Sequence, residues 1–541
     1  MCNMYVAATR KARLRVLTKL PILNNIGAYP EWWAQRTPDA AALISDDREI
    51  TYKGFSDAVR RFAKALLALG VEKGDRVATL QTPHPDFAVA FLGTSLIGAI
   101  WVGLNPKYQP AELRYVVGDA EPKIILARGR VGDRSFVSDV TAWKVVMPSV
   151  EHIVLYGDET WDSALSYGDY LEAGDTISDE ALQTAASDAG NKDPCLIVYT
   201  SGSTGAPKGA LLHHKGVALF SAMQNRLWPV SPLKTLNYFP INHIGSLIDV
   251  MMPTVVAGGA MRLLEAFDPE RALDVMLEEK VSFWASVPSV FAMQFDIPDV
   301  EKRDFSAVQL AVWEGARLSA ELARRLGKLC PRLATNYGMT ETTSAITIIE
   351  PTDDIEVLTE TVGLPAPDVE VRIANADGDG VPLGDAGEIV VRSERNFLGY
   401  WRRPQATKDA FTDDGFFRTG DLGVMREDGR IKLVGRLKEM YKSGGYNVYP
   451  KEIEAVIEGH PGVAQAAVVA APDDTWGEIG VAFVSPKAGA GVDDLEAWCE
   501  ERLANYKRPK RYVIEAELPL LPIGKIDKSA LKKRAVEPTA S

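Results

Sequence analysis

Residues 196–209 read Leu-Ile-Val-Tyr-Thr-Ser-Gly-Ser-Thr-Gly-Ala-Pro-Lys-Gly. Four apolar residues form a short buried strand, and a hydroxyl-rich, glycine-rich loop follows it. Gly202, Gly205 and Gly209 let the backbone turn tightly and approach a ligand. Successive N–H groups in such a loop make an anion nest. Thr200, Ser201, Ser203 and Thr204 add hydroxyl donors, and Lys208 adds a positive charge. The design suits a polyphosphate. It is not the GxxxxGK[ST] loop, because Pro207 precedes the lysine and Gly209 replaces the magnesium-binding hydroxyl. Nor is it GxSxG, because Ser201 stands two residues before Ser203. A bare run of this kind also reads as a flexible surface loop, so its neighbours must decide.

Outward from the loop, helix and strand signals alternate. Phe55, Val59, Phe62, Leu66 and Leu69 share one helical face, and Gly70 ends it. Residues 76–80, 124–126 and 153–155 read as short strands. Residues 87–104 carry no charge, but their glycines, Thr94 and Ser95 suit a buried helix running into a buried strand better than a membrane span. Alternation of this kind predicts an α/β fold with large, mostly parallel sheets. The polar stretch 175–193 reads as a linker. Near Arg436 the pattern changes. A helix opened by Pro450, strands at 463–470 and 479–484, and a helix at 493–503 predict a small α+β domain.

Composition narrows the class. The chain has 541 residues, 46% hydrophobic and 25% charged, which excludes a disordered or fibrous protein. A net charge of −13 lacks the basic footprint of a nucleic-acid binder. Cys2, Cys195, Cys330 and Cys499 lie far apart with no CxxC pair, which fits a reducing, cytoplasmic setting. The first twenty residues hold five basic residues and no acid, and read as a loose extension with weak attraction to an anionic membrane as the alternative. The adjacent His213 and His214 have no further ligands nearby and are not read as a metal site.

The loop has companions in a fixed order. These are Asn336-Tyr337-Gly338-Met339-Thr340-Glu341-Thr342, Arg418-Thr419-Gly420-Asp421, Gly435-Arg436-Leu437-Lys438, Lys442-Ser443-Gly444-Gly445 and Pro522-Ile523-Gly524-Lys525. Together they resemble the adenylate-forming superfamily of acyl-CoA synthetases, adenylation domains and firefly-type luciferases, over roughly residues 30–535. The resemblance implies an N-terminal domain of two α/β halves plus a distorted β-barrel, and a small mobile C-terminal domain hinged at Lys438. The expected division is 1–29, an extension; 30–437, the adenylation domain; and 438–541, the mobile cap.

The resemblance also implies a chemistry. A carboxylate attacks the α-phosphate of ATP and pyrophosphate leaves. Coenzyme A then captures the acyl group, so small-molecule acid, ATP and CoA are the expected partners. Thr200, Ser201, Gly202, Ser203, Thr204, Gly205 and Lys208 would hold phosphates. Tyr337 would lie against adenine, and Asn336 would reach its amino group, with Gly315 and Gly338 close to the nucleotide. Asp421 would take the ribose hydroxyls beside Arg436, and Thr340 a phosphate. Glu341 would ligate Mg²⁺. Lys525 would be the catalytic lysine, and Lys442, Gly444 and Gly445 would serve the thiol step. His243, in a departed PxxHxxG motif, would stand between nucleotide and acyl tunnel. Trp313, Gly338 and Met339 would border the acid.

Trp313-Glu314-Gly315-Ala316-Arg317 departs from the usual Ser-Gly-Gly-Ala-Pro. Trp313 would reshape the acyl pocket, and Glu314 would either face solvent or meet a polar substrate group. Apolar Ile244, Leu247, Ile248, Met251 and Met252 favour a hydrophobic acid, of fatty, aryl or steroid type, and a place in fatty acid and lipid metabolism. Carrier-protein loading and a non-catalytic binding protein are the alternatives. A homodimer and peripheral membrane contact stay open.

Overall fold

The computed structural model describes residues 20–157, 161, 163–200, 207–443, 446–473, 475–521 and 525–536. Among these, two large sheets dominate. One runs in the order Gly399–Tyr400, Lys208–His213, Pro194–Thr200, Ile100–Leu104, Arg76–Leu80, Ile124–Arg128, His152–Tyr156 and Leu165–Ser166. The other carries Leu333–Met339, Leu310–Trp313, Phe283–Ser286, Lys234–Asn237 and Ala260–Leu263 side by side, and these five pair in parallel. A hydrophobic core shared by both sheets encloses the helices Tyr52–Ala68 and Pro85–Leu96. The expected face of the first helix, Phe55, Val59, Phe62 and Leu66, is buried, and Gly70 ends it at φ +74°. The uncharged run 87–104 is, as read, a buried helix followed by the buried strand Ile100–Leu104. No helix among the described residues is long and apolar enough to cross a membrane.

Two readings are corrected. Residues 175–193 are not a linker: Ser178 caps a helix, Asp179–Asp188, tied to Arg60 and Lys64 through Asp179. The expected 1–29 extension ends in core, beyond the twenty residues read as loose. Ile26 and Tyr29 are fully buried, and the Ile26 N–H donates to His214 Nδ1 at 3.2 Å. That bond, and the Gly216 N–H donating to His213 Nδ1, make the paired histidines structural. Burial pushes the His214 pKa down to about 4.

A third, antiparallel sheet holds Val369–Ala374, Ala386–Ser393, Phe417–Met425 and Ile431–Arg436. A fourth, C-terminal sheet holds Tyr441–Ser443, Gly477–Pro486 and Val463–Asp473, with Arg511–Ile514 beside them. Its two faces carry separate cores, around Ile453 and Ile457 on one side and Phe483 and Leu531 on the other.

Under the final helix, Lys528–Val536, lies a buried ion cluster. Glu454 accepts from the Val468 N–H at 2.9 Å and pairs with Lys451 at 2.9 Å and Lys528 at 2.8 Å. Burial raises the Glu454 pKa, but the two ammoniums outweigh it and hold the carboxyl below its usual range. Its stabilisation is therefore present above the ordinary carboxylate pKa and is lost as pH falls through the lowered one. Glu454→Ala leaves the buried Val468 N–H without its acceptor, while Lys528 keeps Glu439 and Lys451 reaches solvent, and is expected to cost about 1–3 kcal/mol. Urea unfolding followed at Trp498 would reveal it, and an unchanged midpoint would contradict the role.

Candidate active site

The parallel strands Leu310–Trp313 and Leu333–Met339 pair with Trp313 opposite Thr335. Their C-terminal ends therefore deliver Glu314, Gly315, Asn336 and Tyr337 to one crevice, the usual ligand position in an open α/β sheet. Tyr337 reaches the third sheet: its hydroxyl donates to Asp421 Oδ2 at 2.7 Å. Arg436 Nε pairs with Asp421 Oδ1 at 2.8 Å across the antiparallel register Asp421↔Arg436. Asp421 is buried and holds two partners at fixed angles, which aims its carboxylate. Tyr337→Phe removes one charged hydrogen bond, and AMP affinity is expected to fall about tenfold. Titration calorimetry checks this, and an unchanged Kd would remove the positioning role.

Gly338 sits where no larger residue fits, since an added Cβ would meet the Ser344 carbonyl oxygen at 2.0 Å. Thr340 and Glu341 follow in a single 3₁₀ turn, Thr340–Thr342, and both are buried. Met339 is half-buried beside them. Glu341 Oε1 accepts from the Tyr400 hydroxyl at 2.9 Å. Burial raises the Glu341 pKa, against the pull of Arg436 and Lys208. The Lys208 ammonium lies over the Tyr400 ring, 4.7 Å from its centroid. Thr200 donates to the Lys208 carbonyl at 3.4 Å, so the two ends of the glycine-rich loop are bound together. Ser201, Gly202, Ser203, Thr204 and Gly205 lie outside the described residues, as do Gly444 and Gly445.

The C-terminal region supplies Lys525 to this crevice. An added Cβ at Gly315, where φ is +83°, would lie 3.2 Å from Lys525 Cε and 3.6 Å from Nζ. Protein crowding and the Arg436 charge lower the Lys525 pKa, with Asp421 opposing. His243 lies within reach of the same charge. Burial first, then Lys525, pushes its pKa down to about 4, so the imidazole is neutral at pH 7. Its Nδ1 accepts from the Gly245 N–H at 3.1 Å, which leaves the proton on Nε2.

Other expected residues stand apart. Lys442 is exposed in the C-terminal sheet, with its N–H donating to Glu478. Lys438 is exposed in the connection after Ile431–Arg436. Trp313 is 1% exposed in a core with Tyr238, Trp284 and Phe291, so its ring does not line an open cleft. Asn336 donates one of its two amide hydrogens to Glu314 Oε1 at 2.6 Å, which fixes its side chain at the end of the strand. Glu314 is half-buried, and burial with the neighbouring Asp249 charge pushes its carboxyl well above the usual range. Asp249 and Tyr400 escaped the sequence reading. A lone acid inside the apolar run 244–252 was the available signal for the first.

The family model described as AMP-binding enzyme matches residues 30–401, and the AMP-binding enzyme C-terminal domain matches residues 452–525. The chain belongs to the AMP-binding enzyme family. Among relatives of this AMP-binding enzyme is a feruloyl-CoA synthase of an Amycolatopsis species, 32% identical, covering 94% of this chain and 99% of its own. A long-chain-fatty-acid–CoA ligase of Mycobacterium tuberculosis is 30% identical over 95% of this chain and 99% of its own. The structure of an anthranilate CoA ligase with anthranoyl-AMP superposes with a TM-score of 0.84 at 25% identity, over 96% of this chain and 99% of that one. The AMP-binding enzyme thus shares sequence and fold with these CoA ligases over nearly its whole length.

Proposed function

We propose that the protein is an ATP-dependent carboxylic acid–CoA ligase acting on a hydrophobic acid. The observation that carries this is the approach of Lys525 to Gly315, at the sheet end from which Tyr337 reaches the Asp421–Arg436 pair. A cation from the C-terminal region thus lies at the end of the parallel sheet that carries Glu314, Gly315, Asn336 and Tyr337. Asp421, an ionised acceptor held by Tyr337 and Arg436, takes the ribose hydroxyls. The Tyr337 ring gives adenine an apolar face. Thr200, Lys208 and the loop between them take the β- and γ-phosphates, and Thr340 a further phosphate oxygen.

Glu341 fits Mg²⁺: it is a buried hard-oxygen donor whose raised pKa signals a charge short of compensation. When bound, the ion would offset phosphate charge. The chain's own contribution to the first step is positional and electrostatic. Lys525 bridges the attacking carboxylate and the α-phosphate as charge builds there. Neutral His243 offers an Nε2 proton beside the same centre. For the second step, Lys442, Gly444 and Gly445 are to replace Lys525 after the cap 438–541 turns about Lys438. CoA is the acceptor that the named relatives support.

The test is pyrophosphate release with ATP and Mg²⁺ over a panel of acids, with and without CoA. Acid-dependent release that turns over only with CoA supports the reading. Turnover without CoA points to another acceptor, such as a carrier protein. ATP binding without release under any acid sinks the ligase.

A further inference from the structure

One face of the helix Pro110–Ala120 bears on both ends of the glycine-rich loop. Tyr115 and Asp119 stand four residues apart, so they share that face. The Tyr115 hydroxyl donates to the Pro207 carbonyl at 2.8 Å, one residue before Lys208. Asp119 Oδ2 accepts from the Tyr199 hydroxyl at 2.8 Å, one residue before Thr200. Asp119 Oδ1 takes Arg403 at 2.5 Å, and the Asp119 carbonyl takes Trp401 Nε1 at 3.1 Å. Trp401 in turn donates its N–H to the Gly209 carbonyl at 2.7 Å.

The helix is itself held firmly. Leu113, Val116, Val117 and Ala120 are buried. Arg76 donates to the Ala120 and Glu121 carbonyls at 2.9 and 2.7 Å, closing the C-terminal end. The paired strands Pro194–Thr200 and Lys208–His213 reach only as far as Thr200↔Lys208. Pro207 lies past that last pair, so Tyr115 supplies a backbone bond where the ladder has stopped. Neither side chain suits a phosphate directly. Asp119 repels one, and the Tyr115 proton is already given to Pro207. Whatever they do for a phosphate they do through Thr200 and Lys208.

We propose that Tyr115 and Asp119 are positioning residues for the β- and γ-phosphates and for departing pyrophosphate, fixing the backbone at Thr200 and Lys208. The proposal rests on the ligase reading above. Tyr400 steadies the side chains of Lys208 and Glu341, whereas this helix steadies the strand ends that carry Thr200 and Lys208. Donors held in place beforehand lose less freedom on binding, so the brace shows as affinity. AMP lacks the two outer phosphates, and its proposed holders, Asp421, Tyr337 and Arg436, lie in other sheets. The brace therefore matters to ATP and pyrophosphate and not to AMP.

The test is titration calorimetry of the full chain with ATP, pyrophosphate and AMP, each with Mg²⁺, in wild type, Tyr115→Phe and Tyr199→Phe. The first variant removes one oxygen from the helix, and the second breaks the Asp119 arm from the strand side. Each is expected to weaken ATP and pyrophosphate binding about tenfold, the scale of one lost hydrogen bond, with AMP changed less than about twofold. Asp119→Asn added to Tyr199→Phe should cost little more, because the two share one bond. Weakening of AMP in parallel with ATP marks a general prop, and ATP affinity unchanged in either Tyr→Phe variant leaves nothing to position; each overturns the proposal. Pyrophosphate release with the acid panel separates the two readings. A gap between ATP and AMP that both variants narrow, in a chain that releases no pyrophosphate with any acid, sinks the ligase and keeps the brace. Acid-dependent release with the gap intact in both variants keeps the ligase and sinks the brace.

Discussion

Lys525→Ala is expected to slow acyl-adenylate formation by about 10²–10³-fold, the scale of losing one pre-aimed charge at a developing transition state. ATP affinity should change little, because the groups proposed to grip the nucleotide, Asp421, Tyr337 and Arg436, lie in other sheets. Single-turnover pyrophosphate release measures the step, and calorimetry measures affinity. Equal losses in both would mean that Lys525 only helps bind. A second readout follows from its lowered pKa. As pH rises through that value the ammonium is lost, so the alkaline limb of adenylation should begin below the ordinary lysine pKa of about 10.4. Lys525→Arg should retain the charge and move the limb upward. A limb that stays put assigns it to another group.

Gly338→Ala is expected to be strongly destabilising, since it makes the tightest backbone clash of any glycine among the described residues. The added carbon would lie 2.0 Å from the Ser344 carbonyl oxygen, 2.4 Å from its carbon and 2.8 Å from Ala345 Cα. All three are backbone atoms, so no side chain can swing aside. The strand Leu333–Met339 must part from Ser344–Thr352 at one of its two irregular points, where the register already shifts between Tyr337 and Gly338. A loss of more than about 3 kcal/mol is expected, from overpacking and broken ladder bonds together. Thermal unfolding checks it. A native Tm with lost activity would instead place the clash in the site alone.

Much of this was legible from local pattern. The helix at Phe55–Leu66 and the strands at Arg76–Leu80 and Val463–Ala470 follow from periodicity, which burial then obeys. The motif residues Asn336–Glu341, Asp421 and Arg436 were legible as a set. Their meeting was not, because it depends on strand register between sheets. Residues 175–193 were misread because a polar amphipathic helix held by surface ion pairs has the composition of a linker. Lys528 shows the same limit: a lysine in a basic tail gives no hint of Glu454, seventy-odd residues away and buried beneath it. Asp249 was passed over because apolar neighbours set the average of its window.

Tyr400 carries a consequence of its own. One side chain supports Lys208 on its ring face and Glu341 at its hydroxyl, and its strand is hydrogen-bonded to the strand that begins at Lys208. The basic and acidic ends of the proposed triphosphate site therefore share a single mechanical support. Substitutions at 208 and 341 should be epistatic without touching, and any change at 400 should be pleiotropic, altering both ends at once. Evolution can retune this part of the enzyme only by moving three positions together.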